Sequence, residues 1–419
     1  MKRAKRTLLV LGGSADQLFL VRTAQAMDLA VLCLDQNDES PCFAEAEECA
    51  LVSTRDVPAI LAFLERRRAA GWGLDGVLTM GSDIPDVVAA VAEHFGLPGP
   101  SRECARLATD KFAMKQRFQE RGIPIPWFAE VRSLGELRAH LAERRRLVLK
   151  PVDRSGSRGV FVLDGRSDPA ELYRLAREFS YSGRVQVEEY LDGPQVSTEA
   201  ILWDGRACVP GFADRNYELS ARFHPQIMEN GAVAPSQRFT GDDRRALEEL
   251  TVAAARALGI ERGSAKGDLV WTAEGPKVIE IAARLSGGDF CESLVPLQTT
   301  RKGVNYACAA IQVALGEEPD WAALAPRVER LVANRYFFPE PGRLVALDGA
   351  DKVRAQPWVK KLEFAYRLGE IVPELTSHAQ RFGVFVVVAE DAAALQRRIE
   401  WVYRTLRIVT RPEPLAASA

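Results

Sequence analysis

Two carboxylates stand where a hairpin would set them face to face. Residues 265–284 read Ala-Lys-Gly-Asp-Leu-Val-Trp-Thr-Ala-Glu-Gly-Pro-Lys-Val-Ile-Glu-Ile-Ala-Ala-Arg. Glu274-Gly275-Pro276 punctuates the middle as a turn. Folding about Glu274 brings Asp268 opposite Glu280. Directly paired side chains in an antiparallel ladder lie roughly 5 Å apart, and like charges there repel. Leu269, Trp271, Ile279 and Ile281 alternate with the two acids, so their face is the buried one. A divalent cation would turn the repulsion into coordination. Oxygen-only ligands suit magnesium, which takes one or two carboxylates plus substrate phosphates. A solvated hairpin with two unrelated acids would carry the same residues, and this segment alone does not choose.

A Gly/Ser loop is the second chemical signal. Stretches 146–151 and 160–163 read as strands, and Asp153-Arg154-Ser155-Gly156-Ser157-Arg158-Gly159 lies between them. Backbone amides in such a loop can cradle phosphates, and glycine permits the angles this needs. A Walker-type loop runs from strand to helix and ends in Gly-Lys-Ser/Thr. Here the loop joins two strands and its lysine, Lys150, precedes it, which disfavours a P-loop kinase or ATPase. A plain hairpin turn is the competing reading, although seven residues exceed what most hairpins need.

The elements that must position these groups alternate along the chain. Over 7–100, apolar strands at 8–11, 30–34 and 76–79 alternate with helical spacing at 17–27, 57–69 and 85–95. Continuous apolar strands between helices imply a parallel sheet covered on both faces. A helical stretch covers 101–121. Strands follow at 147–150, 160–163, 185–190 and 196–203, with helices at 169–179, 242–258 and 303–316. The last part mixes strands at 331–337 and 384–388 with a helix at 392–405, as an appended α+β lid or third domain would.

A chain of 419 residues with 47% hydrophobic and 27% charged residues suits a soluble protein of two or three domains. A net charge of -2 makes no electrostatic case for nucleic acid or an anionic membrane. The clusters Arg66-Arg67-Arg68 and Arg144-Arg145-Arg146 read as solvated helix faces. Seven scattered cysteines without a Cys-x-x-Cys pair argue against zinc and disulfides and fit a reducing compartment. Basic residues 1–6 before an apolar run faintly imitate a signal peptide. That run is short and ends in Gly12-Gly13, so a first buried strand explains it better. The expected location is cytoplasmic. His94, His140, His224 and His378 are not spaced as metal ligands; His224 lies in a polar segment that either lines a pocket or is an ordinary loop.

In order and spacing, these features resemble the ATP-grasp superfamily of carboxylate–amine and carboxylate–thiol ligases, most closely over 104–290. The branch it is similar to holds the carbamoyl-phosphate synthase large chain and the L-amino-acid ligases. Thr109-Asp110-Lys111 opens a helix as the family's first nucleotide lysine does, and Val148-Leu149-Lys150-Pro151 matches its second. Ser155-Gly156-Ser157-Arg158-Gly159 is like its mobile phosphate loop, and Glu188-Glu189-Tyr190-Leu191 resembles its adenine hinge. Asp268 and Glu280 correspond to its magnesium carboxylates, and Arg284 to an arginine beside the transferred phosphate. Two positions depart from the pattern. Gln195 holds the place of an acid that binds the ribose hydroxyls. Ala282 replaces an asparagine metal ligand, which leaves the number of magnesium ions open.

The resemblance implies a Rossmann-like N-terminal domain (1–103), an ATP-grasp domain (104–318) and a C-terminal α+β lid domain (319–419). It implies ATP and Mg2+ as cofactors, with Lys111, Lys150, Ser155, Gly156, Ser157, Gly159, Glu188, Glu189, Tyr190, Leu191 and Gln195 on ATP. Lys150 and Arg284 would be the catalytic residues, Lys150 with Lys111 holding the α- and β-phosphates and Arg284 balancing the developing charge. The implied reaction turns a carboxylic acid into an acyl phosphate, releases ADP and joins the acid to an amine. Both substrates are small molecules, with no nucleic acid and no membrane, and a homodimer is compatible. The alternatives are a carboxylase or carbamoyl-phosphate-type enzyme acting on bicarbonate, and a non-catalytic nucleotide-binding protein. Gly12-Gly13 with Asp35 also imitates a dinucleotide fingerprint, but the complete Gly-x-Gly-x-x-Gly is missing, which argues against NAD.

Overall fold

The computed structural model describes residues 5–299, 306–325 and 327–412. Its first unit is a parallel sheet of β1 (Thr7–Leu11), β2 (Ala30–Asp35), β3 (Glu48–Leu51) and β4 (Gly76–Leu78), in the order β3-β2-β1-β4. It packs with α1 (Ala15–Ala26), α2 (Val57–Ala69) and α3 (Pro85–Phe95). Alternation along β1 explains its apolar run. Leu8 and Val10 join one core with Leu20 and Val21 of α1, while Leu9 and Leu11 join another with Ile60, Leu64 and Val87. β3 has no counterpart among the expected strands, and it changes the reading of one basic cluster. Arg67 is buried, and its Nε donates to Glu48 of β3 at 2.8 Å.

The helix expected over 101–121 is two helices, α4 (Arg102–Thr109) and α5 (Lys111–Glu120). Asp110 makes the break. Its carboxylate caps α5 by accepting from the amides of Phe112 and Ala113, both at 3.0 Å. A small lobe follows: β5 (Phe128–Val131), α6 (Leu134–Glu143), β6 (Leu147–Pro151), β7 (Phe161–Leu163), α7 (Pro169–Phe179) and β8 (Val185–Glu189). Its antiparallel strands are ordered β5-β8-β6-β7.

The remaining elements are β9 (Gln195–Trp203), β10 (Arg206–Arg215), β11 (Ala232–Ala234), α8 (Gly241–Ala257), β12 (Arg262–Thr272), β13 (Gly275–Ala282), α9 (Tyr306–Ala314) and β14 (Leu331–Phe337). Then come β15 (Gly342–Asp348), α10 (Ala350–Arg354), β16 (Val359–Phe364), β17 (Ile371–Val372), β18 (Gly383–Ala389), α11 (Ala392–Thr405) and β19 (Arg407–Arg411). Residues 303–305 of the helix expected over 303–316 lie outside the described residues. Eight strands form one sheet in the order β13-β12-β9-β10-β11-β14-β18-β16, beside a small sheet β17-β15-β19. Thus β14, β16 and β18, from the segment expected as an appended lid, continue the sheet that carries Asp268 and Glu280. All seven residues of β14 are buried, which fits a strand covered on both faces. No described helix is long and apolar enough to cross a membrane.

Candidate functional site

Register sets the two carboxylates side by side, with help from an irregularity. The hairpin closes with Thr272 opposite Gly275, and Leu269 faces Val278. Continued unchanged, that register would put Asp268 opposite Ile279. A bulge absorbs Ile279, so Asp268 pairs with Glu280. Leu269 and Ile281 are buried, whereas Trp271 and Ile279 are only half-buried.

Each acid meets a lysine. Asp268 accepts from Lys266 on its own strand and from Ser197 Oγ of β9 at 2.5 Å. Burial alone would raise the Asp268 carboxyl, yet Lys266 and Arg215 bring it well below the ordinary range. Glu280 Oε1 lies 3.4 Å from Lys111 Nζ at the start of α5. Burial opposes charge on Lys111, and Glu280 and Asp83 outweigh it, raising the ammonium above its usual value.

The second lysine belongs to the small lobe. Lys150 Nζ on β6 is 2.7 Å from Glu188 Oε1 on the paired strand β8, and both side chains are buried. Lys115 Nζ lies 3.6 Å from the same oxygen and donates to the carbonyl of Val278 at 3.0 Å. Burial lowers Lys115 to about 8 in spite of Glu188. Despite its own burial Glu188 is lowered, because Lys115 and Lys150 both surround it. One carboxylate thus answers several ammonium groups, so it gains more than any one of them. Glu188 is therefore turned towards lysines, while Glu189 is exposed. The amides of Glu189 and Tyr190 donate to the carbonyls of Trp127 at 2.9 Å and Arg146 at 3.3 Å. Leu191 and Gln195 are half-buried just beyond. Lys115 was not among the expected site residues. It sits four positions after Lys111, on the same helix face, and that spacing was its signal.

The phosphate-type loop runs from β6 to β7. Gly156, Ser157 and Gly159 have φ of 65°, 57° and 72°. A Cβ on Gly159 would stand 2.9 Å from Phe179 Cβ and 3.0 Å from Pro151, so glycine is required there on both counts. Asp153 anchors the loop's start, accepting from Ser180 Oγ at 2.8 Å and from the Ser182 amide at 2.8 Å. Ser157 Oγ is 3.2 Å from His378 Nε2 of the C-terminal segment, and the His378 amide donates to the Gly156 carbonyl at 3.2 Å.

Arg284 follows β13 and reaches the N-terminal unit, where its Nε donates to Asp83. The chain brings them together by main-chain contact, since the Gly81 amide donates to the Leu285 carbonyl at 3.1 Å. Burial opposes ionisation of Asp83, but Arg284 holds its carboxyl at about 2. Neither Asp83 nor the fully buried Glu199 carried a sequence signal. Glu199 accepts from Ser286, and burial pushes it up to about 7. His224 Nε2 lies 3.3 Å from Asp164 Oδ2, just past the end of β7. Asp35 accepts from the Gly13 amide at 2.7 Å, and Gln17 crosses the Gly12 turn to donate to the Met80 carbonyl at 2.6 Å.

A half-buried carboxylate pair, two lysines from different lobes and a glycine loop therefore make up the candidate site. The family model described as the ATP-grasp domain matches residues 108–288, spanning all of these groups. Residues 108–288 are thus an ATP-grasp domain, as in the ATP-grasp ligases. The chain is an ATP-dependent, magnesium-using ligase that joins a carboxylate to an amine. A second model, L-amino acid ligase C-terminal domain 2, matches residues 335–411. The uncharacterized protein y4rH of Sinorhizobium fredii is 28% identical over 367 residues, covering 85% of this chain and 73% of that one. A phosphoribosylamine–glycine ligase of Halalkalibacterium halodurans is 28% identical over 258 residues, 58% of each chain. The crystal structure of an L-amino acid ligase from Bacillus licheniformis superposes with a TM-score of 0.79 at 22% identity, covering 98% of this chain and all of that one. At that identity the likeness speaks for the fold. The donor set suits magnesium. Asp268 and Glu280 offer oxygen only, and among the described residues no group of three His, Cys, Asp or Glu competes as a metal site.

Proposed function

We propose that this ligase activates a small carboxylic acid as an acyl phosphate, releases ADP and passes the acyl group to an amine. The reading rests on the Asp268–Glu280 register pair, with Lys111 beside Glu280. In that arrangement the lysine that would hold phosphate borders the carboxylate that would hold the cation. Asp268 and Glu280 are the proposed magnesium ligands; the ion would supply positive charge between the phosphates. Lys111 and Lys150 hold phosphate oxygens, and the loop of Ser155, Gly156, Ser157 and Gly159 closes over the γ-phosphate. Residues 188–191 and Gln195 take the nucleoside.

A donor carboxylate oxygen attacks the γ-phosphorus, the bond to the β,γ-bridging oxygen breaks, and ADP leaves. Arg284 balances charge on the transferred phosphoryl group. The amine nitrogen then attacks the acyl carbon and loses a proton, and phosphate leaves with one carboxylate oxygen. We read 1–103 as the part that helps hold the acceptor, 104–318 as the nucleotide part and 319–419 as its closing part. Seven free thiols support a reducing compartment such as the cytoplasm.

The test is a screen of acid and amine pairs with ATP. The spent nucleotide should be ADP, and carboxylate labelled with heavy oxygen should deliver one labelled atom to phosphate. AMP with pyrophosphate, or unlabelled phosphate, would overturn the mechanism. Release of ADP dependent on bicarbonate alone would favour the carboxylase-type alternative.

A further inference from the structure

Positive charge that the proposed nucleotide contacts do not use lies near the strand row of Asp268 and Glu280. Glu280, Asp268, Ser197 and Ala213 form one row across β13, β12, β9 and β10. Arg215 lies two residues beyond Ala213 at the end of β10, on the same sheet face by strand alternation. Its guanidinium is 3.1 Å from Glu229 Oε2. A second guanidinium arrives from the C-terminal segment. Arg381 donates to Glu229 Oε2 at 2.7 Å and to the Glu229 carbonyl at 2.6 Å, and it stands 3.8 Å from the Tyr336 ring centre. Glu229 is buried at 4% exposure, so two cations share one carboxylate where water reaches poorly, with a surplus of positive charge. Among the described residues, the Nε of neither arginine meets an acceptor, although both atoms are buried. A buried donor left unmatched is costly, and a ligand acceptor removes that cost. The place is next to the chemistry: Arg381 lies three residues after His378, which touches Ser157 and Gly156 of the phosphate-type loop.

We infer that Arg215 and Arg381, oriented by the Glu229 they share, form a receptor for an oxyanion at the border of the phosphate loop. It rests on the ligase reading, and the two oxyanions at hand in that reaction are the γ-phosphoryl group of ATP and a second carboxylate on the donor acid. Either matches the forked donors of arginine. In the second case the donor is a dicarboxylic acid.

The full chain and Arg381→Met are compared by calorimetry in two arms. The first arm titrates MgADP and the magnesium complex of a non-hydrolysable ATP analogue. If the γ-phosphoryl group is the ligand, the variant weakens the analogue roughly 10- to 100-fold and leaves ADP nearly unchanged. The second arm titrates succinate and butyrate onto the MgADP complex. If a second carboxylate is the ligand, the wild type prefers succinate, and the variant loses that preference while both nucleotides bind as before. A variant that changes neither comparison, or weakens every ligand alike while melting at a lower temperature, makes the arginines a structural latch and overturns the inference. Arg381→Lys keeps the charge and loses the fork, and it carries the same comparisons if the methionine variant does not fold. Both arms read binding, so failure to find an active substrate pair would count against the ligase reading alone.

Discussion

Glu280 and Lys150 meet the same problem from opposite lobes: each is a charge brought out of water next to a partner of opposite sign. Glu280→Gln keeps the shape, loses the charge and leaves Lys111 without its neighbour at 3.4 Å. Turnover is expected to fall about 100- to 1,000-fold, the range seen when one electrostatic contact to a reacting group is removed, with the melting temperature little changed. A rate and magnesium dependence equal to wild type would contradict the assignment. Lys150→Ala removes a phosphate donor but leaves Glu188 with Lys115. Affinity for ATP should drop roughly 10- to 100-fold while adenosine, which has no phosphates, binds as before. Equal weakening of both in calorimetry would show that the lysine supports the lobe and not the nucleotide. Lys111, Lys150 and the glycine loop were legible because each sits in a short pattern, a helix start or a strand–loop–strand. Lys115 left only its spacing from Lys111 as a signal, and Asp83 and Glu199 left none, because what makes these two notable is burial against segments distant in the chain.

At the scale of elements, β9 carries a buried acid through the middle of the central sheet. Glu199 lies between Lys266 on β12 and Gly211 on β10 in register, and its carboxyl stands at about 7 against an ordinary 4.5. A raised folded value means that the folded state keeps its proton after the unfolded chain has lost it. The stabilisation is then full below pH 4.5 and is lost as pH rises to about 7. The loss is on the order of 3 kcal/mol for a shift of this size. Glu199→Gln should remove that slope, so thermal unfolding followed from pH 4.5 to pH 8 should decline less in the variant. Parallel curves for the two proteins would mean that Glu199 does not titrate in this window. The hairpin teaches a different lesson at the same scale. Symmetry about Glu274 led to the Asp268–Glu280 pairing, but the turn is centred half a residue earlier, and the bulge at Ile279 restores the alignment.

Across the whole molecule, the last hundred residues are bound into the sheet that holds the carboxylates. β14 pairs with β11 on one side and β18 on the other, and Arg381 and His378 reach back to Glu229 and Ser157. A chain cut after residue 318 would leave the three-residue strand β11 as an open edge and strip a fully buried strand from its core. It should be insoluble or unfolded by circular dichroism. A soluble, cooperatively melting fragment that binds ATP would instead make the C-terminal part a detachable lid.

Local pattern was enough to identify three of the four strands of the first sheet, the strand–loop–strand of the phosphate-type loop and the acidic hairpin, since side-chain periodicity and turn chemistry act over a few residues. The order of strands in space was a different matter. Joining β11 to β14, seating Arg284 on Asp83 and gathering Arg215, Glu229 and Arg381 all depend on packing between segments far apart in sequence. No local periodicity encodes those distances. They follow from which apolar faces cover one another, and only the tertiary structure decided that.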